Sequence, residues 1–318
     1  MCVEQQRQEL RFLVTQRCNY DCTFCHREGL QTRKDDLLKA EDFRFIFAVA
    51  KKHFNFETVT LTGGEPLIRR DIIEIASGLS KESAEITLVT NGFLLEDRIY
   101  IGNYVKRINV SLHSLKKGLY EAIVRRRNVF DKVVYGLQKF RYKYPEAEIR
   151  INSTLVDGAN ATEEDILDLV KFADGLDASI KYVELFPPGD EGFVPIVRAQ
   201  EVLLKNGFSY VPSQARKISL SNASTEVILT KIFCAVAKDH PSPSGFCRGN
   251  NDLFVSPDGK IKPCRHNLDE VDIIKETTAR DESALSDKIG EALKSLGRNC
   301  IIDNEGKNPQ EENHGKTL

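Results

Sequence analysis

Short apolar runs and helix-spaced segments alternate along the first 190 residues. Residues 10–15 (LRFLVT), 58–62 (TVTLT), 85–90 (EITLVT), 107–112 (RINVSL), 147–156 (AEIRINSTLV) and 179–185 (SIKYVEL) are short, rich in β-branched residues and bounded by turn signals, so they read as strands. Between them, 41–53 carries apolar positions at helical spacing, and 69–79 is a helix entered through Pro66. Residues 129–144 form a helix stopped by Pro145, and 163–172 one whose acidic first turn suits the helix dipole. Six strand-then-helix units predict a parallel sheet joined by right-handed crossovers. Six are too few for a closed eightfold barrel, so the expected fold is α/β, a partial (β/α)6 barrel. Chemistry in such folds sits at the C-terminal ends of the strands. The unusual residues of this chain do follow the strands: Cys18, Cys22 and Cys25 the first, Gly63-Gly64-Glu65-Pro66 the second, Asn91-Gly92 the third. Ser111 and His113 end the fourth, Asn152 lies in the fifth, and Pro187-Pro188-Gly189 follows the sixth.

After residue 190 the pattern changes, with turn-rich stretches at 240–245 (HPSPSG) and 256–259 (SPDG). The expected organisation is a barrel over 1–190, a C-terminal extension over 191–297 covering its open side, and a disordered tail over 298–318. Residues 303–318 have no apolar side chain but Leu318.

Composition narrows the function classes. The 318 residues carry 45 Lys and Arg against 47 Asp and Glu, a net charge of −2 that leaves no cation excess for a nucleic-acid polymer. No apolar run approaches the ~20 residues of a membrane span. The N-terminus (MCVEQQRQEL) lacks a signal-peptide core, so a cytoplasmic, thiol-reducing location is expected, with no membrane partner. The eight cysteines, at 2, 18, 22, 25, 234, 247, 264 and 300, then point to metal or a metal cluster in place of disulfides.

Cys18, Cys22 and Cys25 have the spacing C-x3-C-x2-C. Structural zinc sites normally take four protein ligands, and three thiolates on a [4Fe–4S] cluster leave one iron open for an exchangeable ligand. The triplet after the first strand, with Gly63-Gly64-Glu65-Pro66 after the second, resembles the radical S-adenosylmethionine superfamily. That resemblance implies two cofactors, a [4Fe–4S] cluster on Cys18, Cys22 and Cys25 and S-adenosylmethionine on the open iron. It implies reductive cleavage to a 5′-deoxyadenosyl radical that takes hydrogen from a substrate. It also implies Phe24 near the adenine, Gly63, Gly64 and Glu65 at the methionyl ammonium, and Thr90, Asn91, Ser111 and Asn152 as polar contacts. For the glycines a tight βα turn is an equally good local reason, and for the last four a strand-end cap is.

Several stretches resemble one branch, the GTP 3′,8-cyclases of molybdenum-cofactor biosynthesis: 107–115 (RINVSLHSL), Arg126 with 130–133, 151–160 (INSTLVDGAN), 182–189 (YVELFPPG) and the segment from Cys247 to Cys264. The likeness covers roughly residues 10–265. It implies a lyase-type enzyme with Arg126 as a substrate contact. The branch's second cluster site, C-x2-C-x13-C, is matched at Cys247 and Cys264, but its middle position is Asn250. Two basic residues of the branch fall on Asp252 and Phe254, and its final Gly-Gly is replaced by Thr317-Leu318. Cys234 is placed to substitute for the missing ligand, so Cys234, Cys247 and Cys264 form a candidate auxiliary cluster, the alternative being buried thiols.

The expected substrate is a small polar molecule containing a nucleotide or sugar, converted by cyclisation or rearrangement. The expected partner is an electron donor such as flavodoxin or ferredoxin. The rivals are GTP cyclisation itself, a peptide-modifying radical enzyme, and a zinc or iron–sulfur scaffold without catalysis. Arg125–Arg127 read either as a phosphate contact or as a solvated helix face, and His113 as a satisfied polar core residue before a proton carrier.

Overall fold

The computed structural model describes residues 8–25, 27, 35–185, 192–213, 217–230, 252–265, 267 and 269–295. The six strands expected from the sequence are present as β1 (Gln8–Thr15), β2 (Phe56–Gly63), β3 (Glu85–Thr90), β4 (Arg107–Ser111), β5 (Glu148–Thr154) and β6 (Ser179–Val183). The predicted helices appear as α1 (Ala40–Phe54), α2 (Ile72–Lys81), α4 (Phe130–Lys143) and α5 (Glu163–Gly175). The helix expected over 69–79 begins at Ile72, and its entry through Pro66 is a separate short 3₁₀ turn, Pro66–Ile68, capped by the Glu65 side chain. One further helix, α3 (Lys117–Val124), follows β4.

Beyond residue 190 lie α6 (Val197–Lys205), β7 (Ser209–Val211), β8 (Ile218–Ser221), β9 (Glu226–Thr230), β10 (Asp252–Val255), β11 (Lys260–Lys262), β12 (Val271–Asp272), α7 (Ile274–Ala279) and α8 (Glu282–Lys294). These strands lengthen the sheet at both edges, giving the order β12-β11-β10-β1-β2-β3-β4-β5-β6-β9-β8-β7. Pairing is parallel from β10 through β1–β6 to β9, and antiparallel in the outer strands on each side. The result is a mixed sheet flanked by helices. No helix among the described residues is long and apolar enough to cross a membrane.

The alternation of side chains decides what each face does. Leu10, Phe12, Val59, Leu61, Ile86, Leu88, Ile108, Val110, Ile149, Ile151, Ile180 and Tyr182 are all buried and join the helices in one core. The intervening positions are polar: Glu9 and Arg11, Thr58 and Thr60, Thr87, Arg107 and Asn109, Arg150 and Asn152, Ser179 and Lys181. Parallel strands covered on both faces are usually apolar throughout. Here one face is polar and largely half-buried.

Candidate functional site

The cysteine loop leaves the sheet at the C-terminal end of β1. Its backbone is fastened to the end of α3, through Asp21 N to Val124 O (3.3 Å) and Thr23 N to Ile123 O (3.0 Å). Cys18 and Cys25 are exposed and Cys22 half-buried. Phe24 meets the His113 ring edge-on at 4.8 Å. His113 itself is buried and accepts a hydrogen bond from Thr154 N at Nδ1, so its proton belongs on Nε2. Burial lowers its pKa to about 4, which keeps the ring neutral, the satisfied core residue that the sequence favours.

The Gly63-Gly64-Glu65 segment lies against the stem of that loop. Gly64 N donates to Thr15 O and Glu65 N to Arg17 O, both at 2.8 Å. A Cβ on Gly63 would stand 2.2 Å from Thr15 O, and one on Gly64 2.2 Å from Arg17 O. Gly63 also has φ +130°, which side chains rarely adopt. The glycines are thus required by close packing of two strand ends as well as by the turn.

Glu65 is completely buried, and its carboxylate already serves the protein. Oε1 accepts from Leu67 N (2.9 Å) and Thr90 Oγ1 (2.7 Å), and Oε2 from Asn91 N (2.6 Å). Burial raises its pKa to about 7 against the pull of these three donors. Thr90 is engaged from the other side too, accepting from Gly92 N at 3.0 Å. Asn91 Nδ2 donates to Asn19 Oδ1 at 2.8 Å, inside the cysteine loop. Glu65, Thr90 and Asn91 therefore join the ends of β2 and β3 to the loop.

Ser111, Asn152 and Lys181 form one row across β4, β5 and β6. Lys181 is the residue that sequence reading missed. Burial lowers its pKa to about 7, and the nearby charges of Lys217, Arg11, Arg150 and Arg265 lower it further. The largest charge effects on it come from these cations. Among the described residues, buried polar atoms without a hydrogen-bond partner include Asn109 Oδ1, Asn152 Oδ1 and Arg107 Nε, all on this same face. Such groups normally find water or a ligand. The available signal was a polar residue at every second position of otherwise apolar strands.

Arg126 is exposed in the turn between α3 and α4, where its N–H donates to Glu121 O. Arg125 in the same turn stands 3.6 Å from Asp21 of the cysteine loop. The basic run therefore lies on a turn beside that loop. Cys264 is half-buried; Cys234 and Cys247 lie outside the described residues.

The donor set of the loop fits an iron–sulfur cluster. Burial raises the Cys18 pKa, helped by the charges of Glu65 and Cys25, and pushes that of Cys22 up to about 12, helped by Cys25 and Cys18. A cationic centre bound by the thiolates would reverse those shifts. Among the described residues no three Cys, His, Asp or Glu side chains converge as ligands of a single metal ion. In a cluster each thiolate binds a different iron, so its ligands need not converge.

Comparison with known proteins agrees. Residues 12–173 match the Radical SAM superfamily. The chain is 32% identical to a probable GTP 3′,8-cyclase of Pyrobaculum aerophilum, over 90% of this chain and 93% of that one. It is 31% identical to the GTP 3′,8-cyclase of Aquifex aeolicus, over 84% of this chain and 87% of that one. Its fold is similar to that of Streptococcus suis SuiB bound to S-adenosylmethionine, with a TM-score of 0.64 and 18% identity over 89% of this chain and 67% of that one. With the family match, these relatives and the cysteine loop in place, the chain belongs to the radical S-adenosylmethionine superfamily as an enzyme similar to its GTP 3′,8-cyclase branch.

Proposed function

We infer that the enzyme abstracts hydrogen from a sugar carbon of a small, anionic, nucleotide- or sugar-containing substrate, and that cyclisation or rearrangement follows. The observation that carries this reading is the polar face of the sheet around Lys181, with the unpartnered Asn109 Oδ1 and Asn152 Oδ1 on it. A buried lysine whose strongest charged neighbours are cations is a costly arrangement, and an anion in the site would offset that cost, with Arg150 and Lys217 near enough to contribute. The sheet in this reading curls as a partial barrel, with the polar face as its lumen.

Cys18, Cys22 and Cys25 would hold a [4Fe–4S] cluster with one iron open to S-adenosylmethionine. When bound, the two cofactors supply methionine and a 5′-deoxyadenosyl radical after one-electron reduction, for which a flavodoxin- or ferredoxin-like donor serves. Phe24 would pack on the adenine. The Gly63–Glu65 backbone would face the methionyl group, since the Glu65 carboxylate is already saturated with protein donors. Asn152 keeps an open acceptor for a ribose or amino group. Asn91 and Ser111 complete the polar rim, and Thr90 acts through Glu65.

A second reading, GTP 3′,8-cyclisation, is favoured by the two relatives of 32% and 31% identity. Asn250, Asp252 and Phe254, which depart from that branch, weigh against it. Cys264, together with Cys234 and Cys247, remains the candidate ligand set for an auxiliary cluster.

The test is anaerobic reconstitution with iron and sulfide, reduction with dithionite, and measurement of 5′-deoxyadenosine. Formation that rises with a phosphate-bearing nucleotide or sugar, and not in Lys181→Met, supports the reading. A loaded cluster giving no 5′-deoxyadenosine with any of them refutes it. GTP converted to a cyclic pterin precursor selects the second reading.

A further inference from the structure

The polypeptide leaves β1 to form the cysteine loop and comes back at Leu38, two residues before α1. Arg69 sits where these two stems meet. It is 6% exposed, and a guanidinium so deeply placed needs firm partners. Nε and Nη2 form a fork on the Asp71 carboxylate at 2.7 and 3.0 Å. Nη1 donates to the Val14 carbonyl at 2.5 Å, and Nη2 also donates to the Leu38 carbonyl. The guanidinium lies 5.0 Å over the Phe43 ring of α1. Val14 belongs to the outgoing stem and Leu38 to the returning one. One side chain thus closes the base of the loop that carries all three cysteines. An exposed link runs beside it, with Asp36 accepting from Thr15 Oγ1 (3.0 Å) and Arg17 Nη2 (2.8 Å).

We propose that Arg69, braced by Asp71, is a positioning residue for Cys18, Cys22 and Cys25, holding the loop stems at the separation in which the three thiols can capture a cluster. It touches no reacting atom; it acts through the carbonyls of Val14 and Leu38. The need is entropic. A loop of this length samples many end-to-end separations, and closing its base removes most of them before metal arrives. Lysine cannot substitute, because a single ammonium cannot fork on Asp71 and reach two carbonyls at once.

The proposal rests on reading the cysteines as cluster ligands, but the clamp belongs to the metal-free chain and is tested there. In metal-free Arg69→Gln and Arg69→Lys, amides 16–25 exchange hydrogen about tenfold faster than in the wild type, the effect of losing one charge-assisted hydrogen bond, while β4–β6 keep their rates. After loading, both variants release iron to a chelator about tenfold faster at temperatures well below their unfolding transition. Asp71→Asn, which leaves the guanidinium on its carbonyls, shifts both readouts by a smaller factor. A wild type that never loads iron sinks the cysteine reading and leaves the exchange experiment to decide the clamp. Unchanged exchange in both Arg69 variants overturns the proposal. So does acceleration spread evenly over the sheet, because that is general destabilisation.

Discussion

The two faces of the sheet come from the same strands and do opposite work. Toward the helices, Phe12, Leu61, Leu88, Val110, Ile151 and Ile180 are all 0% exposed and make an apolar core. One residue along each strand, the other face carries Arg11, Thr60, Thr87, Asn109, Asn152 and Lys181. The first face stabilises the molecule. The second costs stability, because it gathers cations and leaves acceptors without partners. In the proposed reading the first face builds the enzyme and the second is what it acts with.

Substitutions on each face put this contrast to the test. The largest effect belongs to the rim that both faces share: Cys22→Ala should lower iron content and 5′-deoxyadenosine formation by more than about 100-fold, beyond the range seen for disturbing a ligand's surroundings. Iron analysis and product assay check it, and stability measured on metal-free protein should change little. Next comes the helix-packed face, where Phe12→Ala should cost about 3–5 kcal/mol in denaturant unfolding, the range for a buried aromatic.

The polar face should behave in the reverse sense. Lys181→Met should leave metal-free stability unchanged or raised, yet weaken substrate about 10–100-fold, the equivalent of one charge-assisted hydrogen bond. Its pH signature is distinct. The Lys181 pKa falls from 10.5 unfolded to about 7 folded, so between these values the unfolded chain holds more protons. Stability from this group is therefore complete above pH 10.5 and is lost as pH falls through about 7. Denaturation midpoints against pH should lose that slope in Lys181→Met.

An effect of similar size, confined to stability, concerns Glu65, where the pKa rises from 4.5 to about 7 on folding. The folded chain holds the extra proton, so this stability is present below pH 4.5 and lost as pH rises through about 7. Glu65→Gln should abolish that trend. It should also cost about 1–3 kcal/mol, because the amide turns one carboxylate oxygen into a donor that faces either Asn91 N or the pair Leu67 N and Thr90 Oγ1.

Much of this was legible in the sequence. Strong alternation and turn residues located all six central strands, with Glu85–Thr90 matched residue for residue. The glycine pair marked where the ends of β1 and β2 pack closely, because close backbone approach leaves a local signature. The strands beyond residue 190 were not legible, being two to five residues long and defined by pairing with β1 and β6 far away in sequence. The task of Glu65 was hidden for a related reason. Its three donors include groups from β3, which no local motif reveals. Lys181 stood in plain view in SIKYV, but its meaning depends on Arg11, Arg150, Lys217 and Arg265, which only the fold assembles.

The most direct test of the central claim is 5′-deoxyadenosine released per chain by the reconstituted, reduced protein supplied with S-adenosylmethionine. Release by the wild type and none by Cys22→Ala is the predicted result. A wild-type protein with its iron–sulfur cluster intact and reduced that leaves S-adenosylmethionine whole would contradict the account.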